Sequence, residues 1–296
     1  MLMVYTLTFT LNTVSKDEEM QNMQNIRNDL WQKTSFSTCS YIKSLRDYRP
    51  EIVRRAIQSW VKLLELPFAE KIFLDDSSPD LNAMKLLQSS NQINHFDSVR
   101  YNTISHPPHS NFGILISLNL CKSDYILHLD DDIQIVGTHQ DCINILEHGL
   151  TILNEDKNIL GINLMHVDRS AGGQWGPNKD YFGSDVFSHP IQYFGNSACL
   201  MRRELLEVVS LKEILNWGKE QPSNWEELIS TSDNTSSFLV AKVGTPFTVD
   251  NDAWLFKSTF RVSTWETYKY LLLNKLGLGT LASQLSKKIK EREYNS

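Results

Sequence analysis

The chain has 296 residues, 41% hydrophobic and 22% charged, which excludes wholesale disorder and leaves room for one large domain or two modest ones. Its 35 acidic residues outnumber 29 basic ones for a net charge of -6, so no global basic field recruits nucleic acid. Cys39, Cys121, Cys142 and Cys199 form no Cys-x-x-Cys pair, which argues against a zinc knuckle or redox pair and fits a reducing cytoplasm.

The opening stretch "MLMVYTLTFTLNTV" carries no positive charge before its apolar run and is broken by threonines, so it reads as a strand or hairpin rather than a signal peptide. No run reaches the roughly 18 apolar residues of a membrane helix. From Thr34 onward, strand-like and helix-like segments alternate. "TSFSTCSYI" is a first strand. In "RPEIVRRAIQSWVKLLE", Ile52, Val53, Ala56, Ile57, Trp60, Val61 and Leu64 recur at helical spacing, with Pro50 in the first turn. "KIFLDDSSPD" is a strand ending in carboxylates, "LNAMKLLQSS" a helix, "SVRYNTIS" a strand, "NFGILISLNLCK" a helix and "DYILHLDDD" a fourth strand. Four strands separated by helices predict an α/β fold, a mainly parallel sheet flanked by helices.

Beyond the triplet Asp130-Asp131-Asp132 come a helix ("DCINILEHGLTIL"), a strand ("ILGINLMHV") and a long loop from Asp168 to Pro190 containing Trp175 and Tyr181. Then follow "YFGNSACLMRRELLEVV", read as strand into helix, a Trp-rich connector with Trp217 and Trp225, and "DNTSSFLVAKVGTPFTV", read as helix into strand. The tail from Tyr268 is an amphipathic helix with Leu271, Leu272, Leu276, Leu281 and many lysines.

Both acidic clusters fall at the carboxyl ends of strands, where open α/β sheets bind ligands. Three adjacent carboxylates repel one another, and a bound cation relieves that. If strand alternation continues through the triplet, Asp130 and Asp132 share one side and Asp131 faces the other. Hard carboxylate oxygens suit Mg²⁺ or Mn²⁺, with Asp132 as direct ligand and Asp130 on the metal, a metal-bound water or a ribose.

With these segments in order, the chain from about Thr34 to Trp254 resembles the family-2-type nucleotide-sugar glycosyltransferases of the Rossmann-like GT-A fold. The segment "IFLDDSSPD" is similar to the family's base-binding turn, with Ser77 where glycine is common. The resemblance therefore implies Asp75 and Asp76 as nucleotide contacts, together with Thr38, Ser40, Asn119, Asp130 and Asp131. In "NFGILISLNLCKSDYILHLDDD", Gly113, Asn119, Asp130 and Asp132 fall in the family's frame, with Leu118 where arginine is usual. "GNSACLMRRELL" is similar to the acceptor-side segment and implies Arg202 and Arg203 there, with Trp225 nearby. Asp233 stands eleven residues before Gly244, the family's spacing for a catalytic acid at the start of a helix that the glycine ends. Glu226 and Glu227 are rival catalytic acids, and Asp233 equally suits a helix N-cap. Where many members carry a histidine, "VDNDAWLF" offers Asp250 and Asp252.

The resemblance divides the chain into an N-terminal extension (1–33), a glycosyltransferase domain (34–267, halves 34–137 and 138–267) and a C-terminal helix (268–296). It implies an enzyme of hexosyltransferase type, inverting and dependent on Mn²⁺ or Mg²⁺. The donor would be a UDP- or GDP-sugar and the acceptor a glycan, lipid-linked or protein hydroxyl. No nucleic-acid partner is expected. A cytoplasmic location is expected, with the lysine-rich tail a candidate for peripheral membrane contact. A degenerate nucleotide- or carbohydrate-binding protein and a metal-dependent phosphohydrolase are the alternatives. A nucleotidyltransferase is disfavoured because "TCSYIKSLRDYRP" has no glycine-rich phosphate loop. His106 and His109 in "SHPPHS" read as loop and capping residues.

Overall fold

The computed structural model describes residues 25, 27–42, 49–79, 92–102, 112–165, 187–190, 197–208, 238–250 and 264–278, with scattered positions from 280 to 288. Strand β1 (Thr34–Ser40) leads to helix α1 (Arg49–Leu64), β2 (Glu70–Asp75), β3 (Ser98–Tyr101), α2 (Phe112–Leu120) and β4 (Tyr125–Leu129). This is the alternation the sequence predicts. The expected helix at 81–90 lies outside the described residues.

The second half contributes β5 (Ile133–Ile135), α3 (His139–Glu155), β6 (Ile159–Asn163), β7 (Phe187–Pro190) and β8 (Ala198–Arg202). It continues with α4 (Glu204–Val208), β9 (Leu239–Lys242), β10 (Phe247–Val249) and α5 (Thr264–Lys275). Eight strands form one sheet in the order β3-β2-β1-β4-β8-β6-β9-β7, and β5 and β10 pair apart from it. Strands β3, β2, β1 and β4 are parallel. Strand β8 runs antiparallel to β4 and β6, β9 is parallel to β6, and β7 is antiparallel to β9. The sheet is thus mostly parallel and flanked by helices, as expected.

The apolar stripe of α1 explains its seat on the sheet. Ile52, Val53, Ala56, Ile57, Trp60, Leu63 and Leu64 are buried. Trp60 and Phe36 of β1 pack with ring centroids 5.7 Å apart. Residues 27–32 are helical, and Leu30 and Trp31 join this same core, so residues just before Thr34 pack as part of the domain. Helix α2 covers the other face, with Leu115 and Leu118 against Ile72, Ile126 and Met201. Burial of this kind contributes about 1.5–3 kcal/mol for each large apolar side chain.

Two local readings are corrected. The segment read as a helix running from Asp233 to Gly244 holds strand β9 at Leu239–Lys242. Its run Phe238-Leu239-Val240-Ala241-Lys242-Val243 suits a pleated interior strand, and two strands pair with it. Gly244 therefore ends no helix; it lies against Ile145 of α3. The loop expected through Pro190 closes with β7, an edge strand, where a proline is tolerated. Residues 166–186, Trp175 and Tyr181 among them, lie outside the described residues, as do the expected N-terminal strand or hairpin, Trp217, His106 and His109.

Candidate active site at the strand ends

The strand order places the switch point between β1 and β4. From β1 the chain steps outward to β2 and β3, then crosses back to β4 on the far side. The crevice outside the carboxyl ends of β1 and β4 is where such sheets hold ligands. Ser40 ends β1, Asp75 ends β2 beside it in register, and the aspartate triplet follows β4. Ser40 donates its hydroxyl to Asp131 Oδ2 at 2.6 Å, tying β1 to the triplet across the switch point.

The triplet does not continue the strand. Strand β4 stops at Leu129, and Ile133 N–H donates to the Asp130 carbonyl at 3.1 Å, closing a turn. Period-two alternation therefore fails after Leu129, which corrects the expected pairing of Asp130 with Asp132. Asp131 and Asp132 instead converge on one guanidinium, that of Arg49 at the start of α1. Its Nη1 donates to Asp132 Oδ2 at 3.0 Å and its Nη2 to Asp131 Oδ1. Asp130 turns towards the wholly buried His128, whose Nε2 lies 3.3 Å from its Oδ1.

Burial, reinforced by Asp132 and Asp130, pushes the Asp131 carboxyl up to about 6 against the opposing pull of Arg49 and the Ser40 hydroxyl. Burial also works against the charge on Arg49, yet Asp131 and Asp132 beside it hold its proton more firmly than usual.

The β2 end is a second carboxylate pair with divided roles. Asp76 accepts from Asn102 Nδ2 at 2.8 Å and sits against Gly113 in the first turn of α2. A Cβ at position 113 would fall on the Asp76 carboxylate, so glycine is what lets the helix start approach it. Asp75 is buried, and its Oδ1 has no hydrogen-bond partner among the described residues. Burial raises its carboxyl above the ordinary value, opposed by hydrogen bonds from Ser78. Thr38 Oγ1 is likewise buried without a partner among those residues. Ser77 has φ 60°, the left-handed region that favours glycine. Its hydroxyl donates to the Asn102 carbonyl at 2.6 Å and holds the turn.

On the other flank, Asp250 follows β10, and its N–H donates to the Asp132 carbonyl at 2.7 Å. Its buried carboxylate accepts from Gln134 Nε2 at 2.6 Å and pairs with Arg55 of α1 at 3.2 Å. Helix α1 thus sends two arginines into the acids of this rim. Neither was singled out from sequence; a helix bearing Arg49 and Arg55 on the site side was the available signal.

Three expected residues lie elsewhere. Asn119 sits near the end of α2, exposed, with its amide donating to Leu115 O at 2.9 Å. That helix starts at Asp76 and ends near the amino end of β4, away from the triplet. Arg202 and Arg203 are displaced for a related reason. Strand β8 is antiparallel to β4, so Arg202 is opposite Tyr125 while Ala198 is opposite Leu129. At about 3.3 Å per residue, Arg202 is roughly 13 Å down the strand from the triplet end. It is buried and donates to the carbonyls of Leu153, Asp156 and Ile159. Arg203 donates to the Cys121 carbonyl at 2.9 Å. Arg202→Ala is therefore expected to cost about 2–3 kcal/mol of stability through unpaired buried carbonyls while leaving donor affinity unchanged. Thermal unfolding and calorimetric titration separate the two; lost affinity at an unchanged melting temperature would return Arg202 to the ligand site. Asp233, Glu226, Glu227, Trp225 and Asp252 lie outside the described residues.

The donor set can be tested against a divalent cation. Among the described residues, no group of three His, Cys, Asp or Glu side chains is arranged to hold a metal alone. Asp130 and Asp132 retain 23% and 13% side-chain exposure, and Asp132 keeps one oxygen not engaged by Arg49. That fits a hard cation bound through one or two carboxylates, with phosphates and water completing its shell. The four cysteines are buried free thiols, and burial pushes Cys121 and Cys142 up to about 12, which leaves them unreactive.

No protein-family model matches the chain, and no curated protein matches it. Among solved structures, it is similar to TarS of S. aureus, at 14% identity and a TM-score of 0.47 over 73% of this chain; it spans only 36% of that one. Against TarS 1–349 of S. aureus in complex with UDP, identity is 13% and the TM-score 0.47, covering 89% and 72% of the two chains. Against glucosyl-3-phosphoglycerate synthase from Mycobacterium tuberculosis, in complex with Mn²⁺, UDP-glucose and phosphoglyceric acid, identity is 15%, the TM-score 0.43 and coverage 76% of each chain.

Proposed function

We propose that the chain is a glycosyltransferase that moves a sugar from a nucleoside-diphosphate donor to a hydroxyl acceptor. The observation that supports this best is the convergence of Asp75, the Ser40–Asp131 pair and the partly open Asp130 and Asp132 at one switch point. Each group suits one part of such a donor. The buried Asp75 oxygen is an acceptor that suits a base imide N–H, a bond strengthened by charge. Thr38 adds a hydroxyl to the same end of the sheet. Asp132, with Asp130 beside it in the turn, would hold Mn²⁺ or Mg²⁺, which when bound neutralises charge on the leaving diphosphate. Asp131 holds Ser40 and Arg49, fixing the turn that aims its two neighbours.

An inverting transfer needs a carboxylate within hydrogen-bond reach of the acceptor hydroxyl to take its proton during attack. Asp233 is the preferred base, with Glu226 and Glu227 as rivals, and Trp225 is proposed on the acceptor side. The proposed acceptor is a glycan, lipid-linked or protein hydroxyl. Screening nucleoside diphosphates and their sugars by thermal shift, with and without Mn²⁺, tests the donor. A metal-dependent rise with one nucleotide sugar is expected; no rise with any of them contradicts the proposal.

Membrane contact is proposed through α5. Trp265, Leu272 and Leu276 recur at helical spacing and are 69%, 42% and 62% exposed. From Thr264 onward, six basic residues (Lys269, Lys275, Lys287, Lys288, Lys290, Arg292) face three acidic ones (Glu266, Glu291, Glu293), a +3 segment in a -6 chain. Apolar area beside positive charge suits an anionic bilayer surface. Among the described residues no helix is long and apolar enough to cross a membrane. Co-sedimentation with vesicles containing phosphatidylglycerol, lost in Trp265→Ser/Leu276→Ser, is expected; equal sedimentation of both forms would refute the contact.

A further inference from the structure

Three carboxylates share one turn, and the chain supplies its own positive charge to them. The fork of Arg49 spans two acids rather than clamping one, with Nη1 on Asp132 and Nη2 on Asp131. The cluster is largely shielded: side-chain exposure is 20% for Arg49, 4% for Asp131 and 13% for Asp132. Asp131 has a second donor in Ser40, whereas Asp132 has Arg49 as the one side-chain donor found for it among the described residues. The two ends of the fork are therefore unequal. One is anchored on a buried acid, and the other rests on the more open acid that the proposed cation would need.

We propose that Arg49 is a resident counter-cation that holds Asp132 while the site is free of divalent metal and competes with that metal for it. This rests on the reading of Asp130 and Asp132 as the cation ligands. A dication bound at Asp132 sits beside a fixed positive charge, and their repulsion weakens its binding. In exchange, the guanidinium keeps the acids from repelling one another when no cation is present, and it keeps Asp131 when Asp132 turns away. Arg49 is a positioning residue in this scheme. It sets how readily Asp132 becomes available, so that metal enters most easily together with an anionic diphosphate that supplies compensating negative charge.

The test is Mn²⁺ binding to the full chain without nucleotide, read from the electron paramagnetic resonance signal of free Mn²⁺. Arg49→Gln is expected to bind Mn²⁺ at least about tenfold more tightly than wild type, because a competitor and a like charge are both removed. Arg49→Lys retains a point charge and is expected to stay within about threefold of wild type. Melting temperatures provide a second readout that does not depend on activity. In EDTA, Arg49→Gln melts below wild type, and saturating Mn²⁺ raises it by more than it raises wild type. Unchanged or weaker Mn²⁺ binding in Arg49→Gln, with wild type binding normally, would overturn the competition while leaving the cation site standing. Absence of Mn²⁺ binding in both proteins would overturn the cation site and the competition together.

Discussion

Asp132→Ala is expected to abolish the metal-dependent stabilisation by the donor and to lower sugar transfer by about 100-fold or more, the scale of losing one aimed electrostatic group. The expectation follows from position. Asp132 is more exposed than Asp131, is not anchored by Ser40, and has one oxygen left outside the Arg49 fork. A donor present at 100 times its Kd raises wild-type stability by about 2.7 kcal/mol, a shift of several degrees. The variant should show the same small response with Mn²⁺ as with EDTA. Its own fold should change by no more than about 1 kcal/mol, because Arg49 retains Asp131. Asp132→Asn keeps the volume and removes the charge, and should behave like the alanine variant in binding. A donor shift that survives in both variants would place the diphosphate elsewhere.

The second large effect is on the fold. Asp131→Ala is expected to cost about 3 kcal/mol, the lower end of what breaking a buried ion pair costs. The carboxylate is 4% exposed, accepts from Ser40 Oγ and holds one arm of Arg49. Its removal leaves a buried hydroxyl without its acceptor and the guanidinium with Asp132 alone. Ser40→Ala should cost less, about 1 kcal/mol, since only one hydrogen bond is lost. In a double-mutant cycle, Asp131→Ala and Arg49→Gln should be strongly non-additive, because they remove the two ends of one interaction. Urea unfolding of the four proteins measures this directly. Additive costs would mean that the ion pair does not stabilise the strand end.

These contrasts show what local sequence can and cannot carry. The alternation of β1 to β4 with helices was legible because each segment buries an apolar face with its own period, as in the stripe from Ile52 to Leu64. The placement of Asp75 and the triplet at strand ends followed from that alternation alone. The direction of β8 did not, because the four-residue apolar run Ala198–Met201 reads the same whether it pairs parallel or antiparallel. The resemblance that put Arg202 on the acceptor side carries no strand direction, and pairing with β4 sets Arg202 opposite Tyr125. The triplet's orientation was misread by one structural step: alternation holds only while the strand lasts, and β4 stops at Leu129. Arg49 meets acids 82 and 83 residues away, a contact that no local pattern encodes. The stretch before Gly244 illustrates the remaining limit, since its apolar residues fit a short helix or a strand until pairing with β6 and β7 decides.

The most direct measurement is a crystal structure of the chain with UDP, a UDP-sugar, GDP or a GDP-sugar and Mn²⁺, as selected by the thermal-shift screen. The base is expected against Asp75 and Thr38 at the ends of β2 and β1, and the diphosphate and metal beside Asp132 and Asp130. A nucleotide bound away from the β1–β4 switch point, with Asp75 and the triplet untouched, would contradict this placement.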